Sequence, residues 1–320
     1  MSGSASPSNT TGLVLGQTGQ LARALANAMP GTGVDLVFAG RTRADLGDTE
    51  QVLAVLREIR PAFVINAAAY TAVDNAENDE ARALAINGIA PGIIAEYCAS
   101  AGISLIHIST DYVFDGASDQ PYQTDDICNP KSAYGRSKLA GENAVREACD
   151  RHFILRTSWL YSENGTNFLR TMLRLGAERD HLSVVDDQIG APTYVGDLAN
   201  AVLSIVDIIR SKPDTAPYGT YHVTNAGSAS WYGFAAAIFA SRAAEGLVVP
   251  ELRAITTAEY PTPAARPARS VLDMSTTRSN LGIEMPDWRD GLSRCLAKLA
   301  NAATTDTQVQ DPQLTDRDPS

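Results

Sequence analysis

Positive charge is scarce in this chain: 26 lysines and arginines stand against 37 acidic residues, a net charge of −11 over 320 residues. No basic cluster offsets that balance locally, so nucleic acid, whose sequence-independent binding needs cations against phosphates, is excluded as an expected partner. Long apolar runs are lacking as well. None approaches the roughly 20 residues that a bilayer span requires, and no membrane is expected. Cysteine is sparse and scattered: Cys98, Cys128, Cys149 and Cys295 form no CxxC pair and have no histidine at zinc-ligand spacing. Neither a disulfide framework nor a metal site is read from that spacing, and a reduced, cytoplasmic enzyme is expected. Met1 to Thr10 contain neither the basic start nor the apolar stretch of a secretory signal.

What the chain does contain is alternation. Apolar runs at Leu13 to Gly16, Asp35 to Gly40, Ala62 to Ala69, Ser104 to Thr110 and His152 to Leu160 read as buried strands, and the stretches between them carry helical spacing. Strands alternating with helices predict right-handed crossovers and a parallel sheet. The expected fold is α/β, a Rossmann-like doubly wound parallel sheet with a smaller C-terminal substrate lobe. Residues 12–158 are expected to form the nucleotide-binding domain, and 159–301 the substrate lobe with elements returning to the sheet. The segments 1–11 and 302–320 lack apolar periodicity and are expected to be disordered tails. A lobe laid over the carboxyl edge of the sheet would form a crevice where ligands bind.

Directly after the first strand comes Gly16-Gln17-Thr18-Gly19-Gln20-Leu21-Ala22, a GxxGxxA pattern opening a helix. Backbone without side chains can approach a pyrophosphate there, and the helix N-terminus supplies N–H donors. The end of the second strand reads Ala39-Gly40-Arg41-Thr42-Arg43, with cations where NAD-selective folds hold an acid. A 2′-phosphate would pair with Arg41 or Arg43, which favours NADPH over NADH; solvated loop arginines, with NADH use possible, are the alternative. Asp45 and Leu46 either bracket an adenine or anchor the next helix.

Ser109-Thr110 closes the fourth strand, and Tyr134-Gly135-Arg136-Ser137-Lys138 opens a later helix. Tyr134 and Lys138, at i and i+4, share a helix face, and an ammonium near a phenol would lower its pKa from about 10 toward neutrality. A glycine loop after strand one, a hydroxyl ending strand four and then Tyr-x-x-x-Lys resemble the extended short-chain dehydrogenase/reductase family. The words GQTGQLA, INAAAYTAVDNAE, HISTDYVFDG, YGRSKLAGE, ILRTSWLY and VVDDQIGAPTY bring the likeness closer to its dTDP-4-dehydrorhamnose reductase branch. It runs from about Leu13 to Leu299 and ends with ARPARSVLD and MPDWRDGL.

Carried onto this sequence, the resemblance implies a catalytic triad of Thr110, Tyr134 and Lys138. It places Gly16, Gly19, Gln20 and Leu21 at the pyrophosphate, Asp45 and Leu46 near adenine, and Ala69, Tyr70 and Thr71 along the cofactor's other side. Tyr134 and Lys138 would also touch the cofactor, while Thr110 and Asp111 would touch the sugar. Trp159 would cover the pyranose, its alternative being a core tryptophan. The implied partner is a nucleotide-sugar substrate, and the implied reaction is reduction of the C4 ketone of a dTDP-linked 6-deoxy-4-ketohexose by NADPH. Reduction of another nucleotide-linked 4-keto-6-deoxy sugar is an alternative. So is a non-catalytic NADP-binding role like that of a regulatory subunit of methionine adenosyltransferase. Relatives commonly hold Asn where this chain has Arg269. Some place glutamates around a metal at a dimer contact where this chain has Ala24 and Gly196, so a homodimer and a need for Mg2+ are left open.

Overall fold

The strands form because their apolar side chains are taken up on both faces of one sheet. A computed structural model describes residues 11–29 and 31–309. In it β1 (Thr11–Leu15), β2 (Asp35–Ala39), β3 (Phe63–Asn66), β4 (Ser104–Thr110), β5 (His152–Thr157) and β6 (Gly219–His222) pair in parallel, in the order β6-β5-β4-β3-β1-β2. All four residues of β3 are buried, as a two-sided parallel sheet requires.

On one face α2 (Thr49–Ile59), α3 (Ala90–Ala101) and α4 (Ala133–Ala148) cover Leu13, Leu15 and Val64 with Val52, Leu56, Ile94 and Val145. On the other, α1 (Gln20–Ala28) and α6 (Val195–Ser211) pack together over Val14, Ile65 and Ile106. This second core continues without a break into α5 (Phe168–Glu178), α7 (Trp231–Ala244) and α8 (Trp288–Val309). The strand order reverses between β1 and β3, so a crevice opens at their carboxyl ends.

Several expected boundaries are corrected. Thr11 is not tail: it starts β1 in register with Asp35, and its carbonyl accepts from Ala62. β3 stops at Asn66 instead of reaching Ala69. β5 ends at Thr157 instead of Leu160, because the backbone turns out of the sheet through Trp159, whose φ is +47°. The last helix continues to Val309, past the expected start of a tail at 302; the alanines at 302 and 303 are strong helix formers that need no apolar periodicity. The remainder of both expected tails, 1–10 and 310–320, lies outside the described residues. The helical run Glu80–Ala101 is long and apolar enough to cross a membrane by composition, but half of its apolar window is buried. It packs on α4 through small residues, Gly88 against Ala140 and Gly92 against Ala144, as a core helix does.

Candidate active site

β1 delivers the chain to Gly16, whose φ of +127° is a conformation that L side chains rarely adopt. Gly19 follows as the residue before α1. A Cβ added to it would meet nothing within 4 Å, and without a side chain to cap the helix the first-turn N–H groups stay free for a ligand. This side-chain-free cradle at the switch point fits the pyrophosphate of a dinucleotide. Gln20 and Leu21 would meet such a ligand through backbone alone. The amide oxygen of Gln20 accepts from Ser162 Oγ at 2.7 Å and Asn167 Nδ2 at 3.1 Å, and Leu21 is buried in the core. Leu46 is likewise a core side chain, packed with Val52 and Val55, while Asp45 Oδ1 accepts from Gly47 N at 2.9 Å and shapes the turn. Arg41 and Arg43 are exposed after β2. Arg43 pairs with Glu58 at 2.8 Å, and among the described residues no ion pair engages Arg41.

The Ala69-Tyr70-Thr71 corner follows β3 and is held by a residue that the sequence reading missed. Asn87, 1% exposed, sits in a π turn over Ala85–Ile89. Its Oδ1 accepts from Tyr70 N at 2.8 Å, and its Nδ2 donates to Tyr70 O and to Ser137 Oγ, each at 3.0 Å. One side chain thus ties the Ala69-Tyr70-Thr71 corner to α4, and the extra residue of a π turn is what swings it into place. A lone Asn inside a helical pattern gives no such signal in advance.

Ser132 caps α4, its hydroxyl accepting from Gly135 N at 3.1 Å, and so fixes where Tyr134 leaves the helix. Gly135 is required there, since a Cβ would collide with the carbonyl of Tyr112. Burial pushes the pKa of the Tyr134 phenol up to about 12, with the nearby Thr110 hydroxyl opposing the rise. Thr110 Oγ1 accepts from Tyr112 N at 3.2 Å and donates to Asp111 Oδ1 at 3.0 Å. To hold a substrate oxygen, that single hydroxyl proton must turn away from Asp111. Asp111 is 2% exposed with Oδ2 unpartnered, and burial raises its carboxyl to about 6, against hydrogen bonds from Ser270 and Thr110.

Lys138 corrects one expectation. Its Nζ donates to Ile108 O at 2.6 Å and lies 3.3 Å from His107 Nε2. Burial lowers its pKa to about 8, opposed by Glu142. The ammonium is anchored on β4, and the phenol of Tyr134 is raised, not lowered as Tyr-x-x-x-Lys spacing suggested. The phenol keeps its proton at neutral pH, and burial makes it a weaker acid than a free tyrosine.

One turn further along α4 lies Glu142, fully buried. It accepts from Ser109 Oγ at 2.6 Å, from Arg156 Nε at 3.0 Å and Nη2 at 2.8 Å, and from Arg146 at 2.6 Å. The guanidinium of Arg156 also donates to Thr124 O at 3.1 Å, in the segment leading to Ser132. The i, i+4, i+8 spacing of Tyr134, Lys138 and Glu142 was legible in YGRSKLAGE, whereas the partner on β5 was not.

On the lobe side, Trp159 stacks on Trp231 with ring centroids 3.4 Å apart and planes 4° from parallel, and Trp231 Nε1 donates to Gln188 Oε1 at 3.1 Å. Trp159 is half-buried, neither a core residue nor a free platform. Its replacement by Ala is therefore expected to cost less stability than the about 3–5 kcal/mol of a core aromatic, and to lower kcat/KM for the sugar nucleotide about tenfold or more while NADPH affinity holds. Denaturant unfolding and steady-state kinetics separate these, and a full core-sized loss with kcat/KM preserved removes Trp159 from the site. Nearby, Arg269 has its Nε buried and unpartnered, on a segment whose backbone pairs with Ile189 and Gly116.

The positions that hold glutamates in some relatives fit no metal here. Ala24 and Gly196 line a cavity of about 120 Å³ with Arg294 and Lys298. Its one carboxylate, Glu163, lies 3.5 Å from Lys298 and accepts from the Tyr194 hydroxyl at 3.3 Å. One engaged carboxylate and the amides of Asn27 and Asn200, set among two cations, are a poor donor set for a hard divalent ion.

The profile of the RmlD substrate binding domain matches residues 10–301. The chain belongs to this family. A dTDP-4-dehydrorhamnose reductase of Burkholderia thailandensis is 44% identical over 294 residues, covering 90% of this chain and 98% of the relative. One from Escherichia coli K12 is 40% identical over 292 residues, covering 90% and 97%. Among solved structures, the dTDP-4-dehydrorhamnose reductase of Bacillus anthracis in complex with NADP superposes with a TM-score of 0.84 at 38% identity, covering 91% of this chain and 99% of that one. The one from Clostridium acetobutylicum gives the same values. With these two structures the chain shares its fold over about nine-tenths of its length.

Proposed function

We propose that the chain is a dTDP-4-dehydrorhamnose reductase, an oxidoreductase that uses NADPH to reduce the C4 ketone of dTDP-4-dehydro-L-rhamnose to the alcohol of dTDP-L-rhamnose. The observation that carries this reading is the side-chain-free loop at Gly16 and Gly19 at the switch point of the sheet, with Thr110 ending β4 and Tyr134 and Lys138 one turn apart on the helix α4 packed beside it. A reduced nicotinamide dinucleotide, when bound, supplies the hydride for the carbonyl carbon. Tyr134 delivers the proton to O4, and Thr110 holds that oxygen while charge develops on it. Lys138 would hold the nicotinamide ribose of a bound cofactor through its remaining N–H. The unpartnered Oδ2 of Asp111 accepts from a sugar hydroxyl, and Trp159 lies against the pyranose. The segment after 159 is in this reading the substrate lobe.

The test is oxidation of NADPH, followed optically, with dTDP-4-dehydro-L-rhamnose and a panel of other nucleotide-linked 4-keto-6-deoxy sugars. Turnover fastest with the first supports the proposal. Faster turnover with another sugar reassigns the substrate, and cofactor binding without turnover on any of them leaves a binding protein.

Preference for NADPH rests on the exposed arginines after β2. Changing Arg41 and Arg43 together to Ala is expected to weaken NADPH by about 1.5–3 kcal/mol per charged hydrogen bond lost and to leave NADH nearly unchanged. Because Arg43 already pairs with Glu58, the single change at Arg41 should carry most of the effect. Dissociation constants for both cofactors, read by fluorescence, decide it: equal weakening of both, or of neither, makes these side chains solvated loop charges.

A further inference from the structure

His107 has no part in the chemistry described so far, yet it is 1% exposed in the middle of β4 beneath the site. Its Nε2 lies 3.3 Å from Lys138 Nζ and its Nδ1 lies 3.2 Å from the side-chain amide of Asn66, the last residue of β3. Asn66 is itself buried, with Oδ1 unpartnered. Three buried polar side chains from β3, β4 and α4 thus form one line that ends on the lysine. We propose that His107 is a positioning residue for Lys138, accepting one of its three N–H bonds so that, with Ile108 O taking a second, only the third is left to point into the cofactor crevice.

The donor count supports this. An ammonium has three donors and no acceptor. Ile108 O at 2.6 Å and His107 Nε2 occupy two of them from below, which fixes the direction of the remaining one. The ring must be neutral with Nε2 free of hydrogen, because a protonated ring would present a donor to a donor. Burial does hold it neutral, with Lys138, His152 and Arg146 adding positive charge nearby, so its pKa lies well below the ordinary value. With Nε2 accepting, Nδ1 carries the hydrogen; the Asn66 carboxamide, whose Nδ2 stands 3.2 Å from Nδ1 while Oδ1 has no partner, must then be turned over so that its oxygen accepts, which also satisfies that orphaned oxygen. The other charged group acting on the lysine is Glu142, from its own helix. Glu142 favours the charged ammonium, and burial opposes it. Loss of the His107 acceptor leaves burial opposed by less, and both the aim and the charge of Lys138 suffer.

This inference rests on the proposed reductase activity, so its test carries one readout that needs no turnover. His107→Phe keeps the ring's volume and removes the acceptor; His107→Gln places a carboxamide where Nε2 lies and restores it. For the wild type, kcat/KM is expected to fall as pH rises through about 8, where Lys138 loses its proton. In His107→Phe, kcat should drop about ten- to a hundred-fold from misplacement of the reacting groups, the alkaline limb should move to lower pH, and NADPH affinity measured by fluorescence should fall at alkaline pH. His107→Gln should recover the limb, the affinity and most of kcat. A wild-type pH profile and kcat in His107→Phe overturns the proposal. So does His107→Gln behaving like His107→Phe, with or without a fall in Tm, since that pattern marks packing and not the acceptor. Absence of turnover in the wild type overturns the reductase reading instead, while the alkaline dependence of NADPH binding in the three proteins still decides the role of His107.

Discussion

Tyr134→Phe is expected to lower kcat at least about a hundred-fold, the scale of general acid catalysis, with NADPH affinity changed no more than a few-fold. The phenyl ring keeps the packing: its edge contact with Tyr112, at 5.5 Å between centroids and 75° between planes, needs no hydroxyl. What disappears is the proton for O4, while the Thr110 hydroxyl keeps Tyr112 N and Asp111 as partners. Because burial holds the phenol at about 12, Tyr134 stays protonated through the neutral and mildly alkaline range. It should contribute no alkaline limb in the direction of reduction, and the limb near 8 belongs to Lys138. Single-turnover kinetics with a fluorescence titration of NADPH check both points. Near-normal turnover in this variant would transfer the acid's role to another group, with Asp111, raised to about 6, the nearest alternative.

Glu142→Ala is expected to be the most destabilising single change near the site, by about 3–5 kcal/mol, because it strands a buried guanidinium. Arg156 is 2% exposed, and Glu142 supplies three of the hydrogen-bond contacts that compensate its charge. Burial works to raise the carboxyl, but hydrogen bonds and charge from Arg156 outweigh it, so the folded-state pKa lies below the ordinary carboxylate value. The sign follows: the stabilisation is complete above the unfolded-state pKa of about 4.3 and is lost as pH falls through the lower, folded-state value. Urea unfolding at neutral pH measures the loss. Replacing Glu142 and Arg156 together by Leu and Met should recover most of it, since no charge is then left buried without a partner. A loss under about 1 kcal/mol for Glu142→Ala would mean that water reaches the pair and that the guanidinium was never desolvated. Because Arg156 also holds the carbonyl of Thr124, on the segment leading to the cap of α4, the single variant should raise KM for the sugar as well.

The sequence by itself determined the parallel α/β layer, the glycine loop and the helix face carrying Tyr134 and Lys138, because each is a local pattern. Apolar runs four to nine residues long, a side-chain-free turn between strand and helix, and an i, i+4 spacing all act over a few residues of chain. Even the end of β5 was legible only in part: the apolar run carried on to Leu160, but the strand stops at Thr157 because the chain turns aside through the positive φ of Trp159. The tertiary structure decided what each of these residues faces. Lys138 turns to β4, because Ile108 O and His107, thirty residues earlier, offer it acceptors that its own helix does not. Asn87 reaches Tyr70 and Ser137 only through a π turn, Glu142 meets Arg156 only when β5 is laid beside β4, and Trp159 finds Trp231 only once the lobe closes over the sheet. Hydrogen bonds and ion pairs between distant segments leave no period in a sequence. The burial that sets the pKa values of Tyr134, Lys138 and Asp111 is a property of everything packed around them, and so it too belongs to the folded chain alone.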